Sequence, residues 1–162
     1  MQLIVLLIGI ALIAALYWQG ERLKVMPVPT LPRTRRAALA LLAQDNPARI
    51  VEMGSGWGGM LSVLRKAYPQ ARIDGYERSF LPYWFSRLRG AARIHRANFF
   101  HADLRKADLV FCYLSHWHME MLAPKFLDEL KNGAIVVSVS FPLPGMIPDA
   151  TRVVKGLVDI PV

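Results

Sequence analysis

The chain has 162 residues, enough for one domain of ordinary size, and its one cysteine, Cys112, excludes an intrachain disulfide and fits a reducing compartment. A hydrophobic content of 54% and a mean hydropathy of +0.28 are high for a wholly water-exposed domain. The net charge of +8, from 20 Lys and Arg against 12 Asp and Glu, suits anionic partners such as lipid headgroups, RNA or an acidic protein.

The excess apolarity is concentrated at the start. Leu3 to Trp18, "LIVLLIGIALIAALYW", holds neither a charge nor a proline. As a helix it spans about 24 Å at ~1.5 Å per residue, a little short of a bilayer core of ~30 Å. Met1 and Gln2 extend it, and Tyr17 and Trp18 suit a membrane interface. The expectation is a retained, single-pass anchor over residues 1–20. A buried core helix and a cleaved signal peptide are the alternatives, the second opposed by a start without Lys or Arg. Arg22, Lys24, Arg33, Arg35 and Arg36 follow, against Glu21 alone. By the positive-inside rule they leave the rest of the chain in the cytoplasm, at the inner (plasma) membrane. Pro27, Pro29 and Pro32 make residues 21–32 an extended linker, and residues 33–162 form the remaining domain.

Within that domain "RTRRAALALLAQDNP" reads as a helix ended by Asn46-Pro47. Arg49–Met53 is a short apolar strand. Gly58 to Tyr68 is a helix, with Met60, Leu61, Leu64 and Tyr68 at helical spacing. "ARIDGYE" is a second strand, "LPYWFSRLRGA" a second helix with Pro82 in its first turn, and "ARIHRANFF" holds a third strand. "ADLVFCYL" is a fourth strand, "HMEMLAPKFLDELKNG" a helix stopped by Asn132-Gly133, and "AIVVSVSF" a fifth strand apolar enough for a central position. "PLPGMIPD" is a loop, and "TRVVKGLVDIPV" holds at most one or two weak strands. Alternating strands and helices predict a doubly wound α/β fold with a mostly parallel sheet, its ligand at the carboxyl ends of the strands. Those ends are Glu52–Gly58, Glu77–Arg78, Asn98–Phe99 and Tyr113–Ser115.

The loop "RIVEMGSGWGGML" decides what ligand that is. Its glycines at 54, 56 and 59 match G-x-G-x-x-G, a dinucleotide fingerprint, while Glu52 to Gly58 reads E-x-G-x-G-x-G. Both patterns need Gly54 for a turn and Gly56 for close backbone approach. Both also want an acid after the second strand, here Glu77, placed to accept hydrogen bonds from ribose hydroxyls. Glu52 separates them. A carboxylate beside a pyrophosphate is repelled, whereas S-adenosylmethionine carries a cationic ammonium and sulfonium that a carboxylate attracts.

At this point the chain resembles a family. "VEMGSGWGG", "GYERSFLPYWFSRLR", "ANFF", "DLVFCYL" and "FPLPG" are similar to class I (seven-strand) S-adenosylmethionine-dependent methyltransferases. More narrowly they resemble small bacterial members related to the membrane-anchored lysine methyltransferases of mitochondria and to a soluble archaeal lysine methyltransferase. "VPTLP" resembles the P-T-x-P stretch before the first helix there, and "WFSRLR" the W-Y-S-R-x-R stretch of the second helix. The resemblance covers roughly residues 27–148. It implies that Glu52, Gly54, Ser55, Gly56 and Gly58 line the methionine end of the cofactor and that Glu77, beside Arg78, holds the ribose. It places Asn98 against the adenine amino group, where an acid often stands, and Phe99 against the ring. Trp57 replaces the Asp of the mitochondrial-type loop. The family's last strands are expected to be short or incomplete here, so that either the fold is truncated or a sheet edge is left open.

Methyl transfer asks an enzyme to position and dehydrate its acceptor. No N/D-P-P-Y/F stretch follows the fourth strand, which argues against the nucleobase-amine route. Tyr113, Ser115 and His116 are the candidate catalytic residues, His116 because it titrates near neutrality. Thr30, Phe141 and Pro142 are expected on the substrate side, where the proline-stiffened segments "VPTLP" and "FPLPG" flank the strand ends. No metal site is expected. The resemblance and the anchor together suggest a monomeric, membrane-anchored enzyme that methylates protein lysine. The alternatives are RNA or a small molecule as acceptor, the basic residues 78–106 favouring RNA, and a non-catalytic assembly module on the same fold.

Overall fold

A computed structural model describes residues 1–7, 9–10, 30–42, 46–156 and 159–162. Residues 2–7 are helical. Among the described residues no helix is long and apolar enough to cross a membrane, and most of the anchor and linker expected before residue 30 lies outside them.

Helix α1 spans Pro32–Leu41. Pro32 occupies its first turn, where a missing N–H leaves no helical bond unmade, so it belongs to the helix and not to the linker. The chain then alternates β1 (Arg49–Met53), α2 (Gly59–Ala67), β2 (Arg72–Tyr76), α3 (Phe80–Leu88), β3 (Arg93–His95), a 3-10 turn over Phe99–His101, β4 (Leu109–Cys112), α4 (His116–Glu129) and β5 (Ile135–Ser138). The five strands form one sheet in the order β3-β2-β1-β4-β5, every neighbouring pair parallel. The order reverses between β1 and β4. Parallel strands diverge there and open a crevice at their carboxyl ends.

Period-two alternation in the central strands separates two cores. Ile50, Leu109 and Phe111 face a cluster built with Ala38 of α1, Leu61 and Leu64 of α2, and Tyr83 of α3. Val51, Val110 and Cys112 face the opposite cluster, built with Met119, Leu122 and Phe126 of α4. Burial on both faces is why β1 and β4 read as unbroken apolar runs. Cys112 is fully enclosed, and burial, reinforced by the Glu52 carboxylate, drives its thiol far above the ordinary range.

Strand β5 departs from the expectation of a central position. It is an edge strand, with only Val137 fully buried. The reason lies downstream. Val153–Val154 (β6) and Ile160–Pro161 (β7) pair with each other in a separate antiparallel ribbon and do not extend the sheet. That ribbon closes over α1. Val154 and Val162 join the first core, Arg33 donates to the Lys155 carbonyl at 3.1 Å, and Ser140 N–H donates to the Pro161 carbonyl at 2.8 Å.

Candidate functional site

The glycine loop is held in a conformation that side chains resist. Gly54, Gly56 and Gly58 have φ of +76°, +50° and +74°, the left-handed region that only glycine enters freely. The N–H groups of Gly54 and Ser55 both donate to the Tyr76 carbonyl, at 3.0 and 2.9 Å, which lashes the loop to the end of β2. The glycines have different reasons to be there. A Cβ at Gly58 would stand 2.6 Å from Ser86 Oγ and 3.0 Å from Ser86 Cα, so this position is needed for α2 to meet α3. A Cβ at Gly56 would meet nothing within 4 Å. Gly56 therefore faces open space, and a side chain there would intrude on a ligand and not on the fold.

Glu77, 8% exposed, locks the loop from below. Its Oε2 accepts from Gly56 N–H at 2.8 Å and its Oε1 from Ser79 N–H at 2.6 Å. Each carboxylate oxygen retains a second lone pair, so Glu77 can hold the loop and still accept from a ligand hydroxyl. Glu52 is different. It is 4% exposed, its Oε2 has no hydrogen-bond partner, and burial, together with the nearby Glu77 charge, holds its carboxyl well above the usual carboxylate range. The Arg35 guanidinium pulls the other way without prevailing. Ser55 Oγ is a second buried polar atom without a partner.

Glu52, Ser55, Gly56 and Arg35 line one cleft of about 100 Å³, with Thr30, Gly54, Trp57, Tyr113 and Arg89 among its other walls, and Glu77 stands behind the loop at Gly56. Arg35 was expected to face headgroups with its neighbours in the basic cluster. Instead its guanidinium lies against the start of α2, where any side chain at Gly59 would collide with it, and its Nε has no partner. The signal was legible as spacing: Ala38 and Leu42, three and seven residues on, are both buried, so Arg35 rides the inward face of an amphipathic helix.

The other expected residues are spread over the rim and the core. Arg78 is exposed and does not line the cleft. Asn98 Oδ1 accepts from Phe100 N–H at 3.2 Å, so its side chain caps the 3-10 turn. The Phe99 ring is packed into the second core, meeting His118 edge-on at 5.5 Å between ring centroids. The half-buried Phe100 beside it has the more open ring. Tyr113 reaches the cleft. Ser115 and His116 sit at the start of α4, outside it. His116 is exposed and paired with Glu120 at 3.1 Å, and it lies 6.0 Å from the exposed Phe141. Pro142 is exposed next to Phe141. His118 was not among the site residues expected from the sequence. It is buried, its Nδ1 lies 2.7 Å from Ser115 Oγ, and burial lowers its pKa, so the ring is neutral. Its place on the stripe of Leu122 and Phe126 at i+4 and i+8 was the available clue. Among the described residues no group of three or more His, Cys, Asp or Glu could hold a metal ion.

The donor set has a definite chemistry. A buried acid without a partner and a guanidinium with an unused donor stand in one cleft, beside a backbone left clear at Gly56. A ligand with both a cationic and an anionic group satisfies all three, and a pyrophosphate does not, because Glu52 would have to face it. The amino acid end of S-adenosylmethionine fits this set.

Comparison with known proteins agrees. The ANTKMT methyltransferase domain matches residues 52–150. A protein-lysine N-methyltransferase of Saccharolobus islandicus is 28% identical over 130 residues, covering 76% of this chain and 80% of that protein. A lysine N-methyltransferase of Rattus norvegicus, named for a component of ATP synthase, is 27% identical over 139 residues, covering 80% of this chain but 63% of the rat protein. Among solved structures, an RNA methyltransferase from Salinibacter ruber in complex with S-adenosyl-L-homocysteine superposes with a TM-score of 0.72 at 26% identity, over 83% of this chain and 90% of that one. The chain belongs to the ANTKMT methyltransferase domain family and is an S-adenosylmethionine-dependent methyltransferase.

Proposed function

We propose that this enzyme methylates lysine side chains of a protein at a membrane surface. The observation that carries the cofactor side is the unpartnered Glu52 carboxyl beside Arg35. Glu52 holds the ammonium of the methionine end, Arg35 its carboxylate, and Glu77 the ribose hydroxyls. When bound, S-adenosylmethionine supplies an electrophilic methyl group for in-line displacement. The chain's own residues then orient and dry the acceptor. Tyr113 and Thr30, which line the cleft, are the residues assigned to the acceptor side in this reading. Phe141 and Pro142, exposed beside His116, offer apolar surface that strips water from an incoming amine. A lysine must arrive deprotonated, against a reference pKa of about 10.4. Desolvation at this rim favours the neutral amine.

Lysine as acceptor is supported by the names of the two curated relatives. The membrane location is supported by the uncharged run Leu3–Trp18 and the arginines after it. In this reading residues 1–20 anchor a monomer whose catalytic domain lies on the cytoplasmic side. A second reading, RNA as acceptor, is favoured by the basic residues 78–106 and by the Salinibacter neighbour. Purified full-length enzyme, labelled S-adenosylmethionine and separate membrane, soluble and RNA fractions distinguish them. Label recovered as methyl-lysine in a membrane protein supports the proposal. Label released by ribonuclease replaces it with the RNA reading.

A further inference from the structure

Helix α3 leaves its outer side bare. Phe80, Trp84, Phe85 and Leu88 are 46%, 44%, 52% and 80% exposed. The spacing of Phe80, Trp84 and Leu88, four residues apart, puts them on one stripe. Monomeric soluble proteins seldom show such contiguous apolar surface without a partner. The surroundings are strongly basic. Residues 78–100 contain five arginines and no acid. Arg96 Cζ lies 5.1 Å from the Phe80 ring centroid and Arg87 Cζ 5.8 Å from that of Trp84. Beyond them Arg87, Arg93 and Arg96 share an open groove of about 730 Å³ along the β3 edge of the sheet.

We propose that the outer side of α3 is a second membrane contact, seated in the headgroup region of an anionic bilayer. It extends the membrane reading above by adding an orienting surface on the catalytic domain itself. Aromatic and leucine side chains sunk to the boundary of headgroups and acyl chains, flanked by arginines that pair with lipid phosphates, are the pattern of an interfacial helix. The same residues suit a single-stranded nucleic acid less well. Base stacking needs open ring faces, and here guanidinium groups already stand over Phe80 and Trp84. Leu88, the most exposed of the four, offers a base nothing to stack on. Position in the fold agrees. Helices α1 and α3 share one core cluster and hence one face of the sheet. The chain therefore enters the described domain, just after its apolar run, on the face that carries α3. The contact also bears on the cleft. Phe85 meets Trp57 of the glycine loop edge-on, with ring centroids 5.1 Å apart. A bilayer against α3 thus holds the cleft beside the membrane surface.

The test separates this contact from the anchor. Leu88→Cys and, as control, the exposed Leu127→Cys of α4 on the opposite face are each labelled with a nitroxide in the full chain. Cys112 is buried and stays unlabelled. With vesicles of phosphatidylcholine and phosphatidylserine, the label at 88 should become several-fold less accessible to an aqueous relaxant than the label at 127. Arg87→Glu with Arg96→Glu should reverse that protection while the chain still sediments with the vesicles. Equal accessibility at 88 and 127 in vesicle-bound protein overturns the proposal. So does protection at 88 by RNA and not by vesicles, or protection without any addition in a chain that sediments as a dimer. Sedimentation with vesicles reads the anchor and the label reads α3, so the two can fail separately.

Discussion

Two buried acids on neighbouring strands, Asp74 and Glu52, show how this fold treats charge in opposite ways. Asp74 on β2 pairs in register with Val51, one step from Glu52. Burial opposes its charge, but hydrogen bonds from His95 at 2.9 Å and Arg72 at 3.0 Å prevail and hold its carboxyl below the usual range. Glu52 has no such partner on Oε2, and burial keeps its carboxyl protonated well into the range where Asp74 is ionised. An acid satisfied within the chain serves the fold. An acid left unsatisfied at a strand end is stabilised only when a ligand supplies the missing charge, so it weakens the empty protein in exchange for binding.

The largest test of that division lies in the glycines beside the two acids. Gly58→Val should drive its side chain into Ser86 and destabilise the fold by about 3 kcal/mol, combining left-handed strain with overpacking. Gly56→Ala should lose only about 1–2 kcal/mol of stability while blocking S-adenosylhomocysteine. Urea unfolding and calorimetry read the two effects. If Gly56→Ala bound the ligand normally, the open space at that position would not be the cofactor's.

Next comes Glu52→Gln. It should weaken S-adenosylhomocysteine binding by about 1.5–3 kcal/mol, the scale of a charged hydrogen bond, with unfolding stability unchanged or raised. Asp74→Asn should do the reverse. Unfolding stability at neutral pH should fall by about 1–2 kcal/mol, held to the low end by the half-exposed Arg72, with binding unaffected. Because the folded pKa of Asp74 is depressed, that contribution is present above its unfolded value of about 3.9 and disappears as pH falls through the folded one. The difference between wild type and Asp74→Asn should therefore close in acid.

Glu52 titrates with the opposite sign. Its folded pKa is raised, and a cationic ligand favours the ionised form. Affinity for S-adenosylhomocysteine should therefore rise as pH is raised toward and through the Glu52 pKa, and binding should release a proton, seen as a dependence of calorimetric heat on buffer ionisation. Glu52→Gln should bind without that release. The smallest effect is expected at the rim. Thr30→Ala with Pro142→Ala should slow turnover by roughly threefold, under 1 kcal/mol, without changing cofactor affinity. Unaltered turnover would remove the closing role of those segments.

Much of this protein was set by local pattern. The alternation of apolar runs and helical spacing carried the parallel α/β fold, because strand and helix periods are properties of short stretches. The E-x-G-x-G-x-G loop and Glu77 carried the cofactor, because φ above zero and a carboxylate at a strand end are demands made at single positions. What pattern could not decide was which residues meet across the chain. Arg35 reads as one of a membrane-facing basic cluster and stands in the cleft. Strand β5 reads as central and lies at an edge because the last strands pair with each other. Glu52 and Asp74 are both strand acids in sequence. Only the placement of Arg72 and His95 around Asp74, and the cleft beside the unpartnered Glu52, set the two apart, because the free energy of a buried charge depends on what surrounds it in three dimensions.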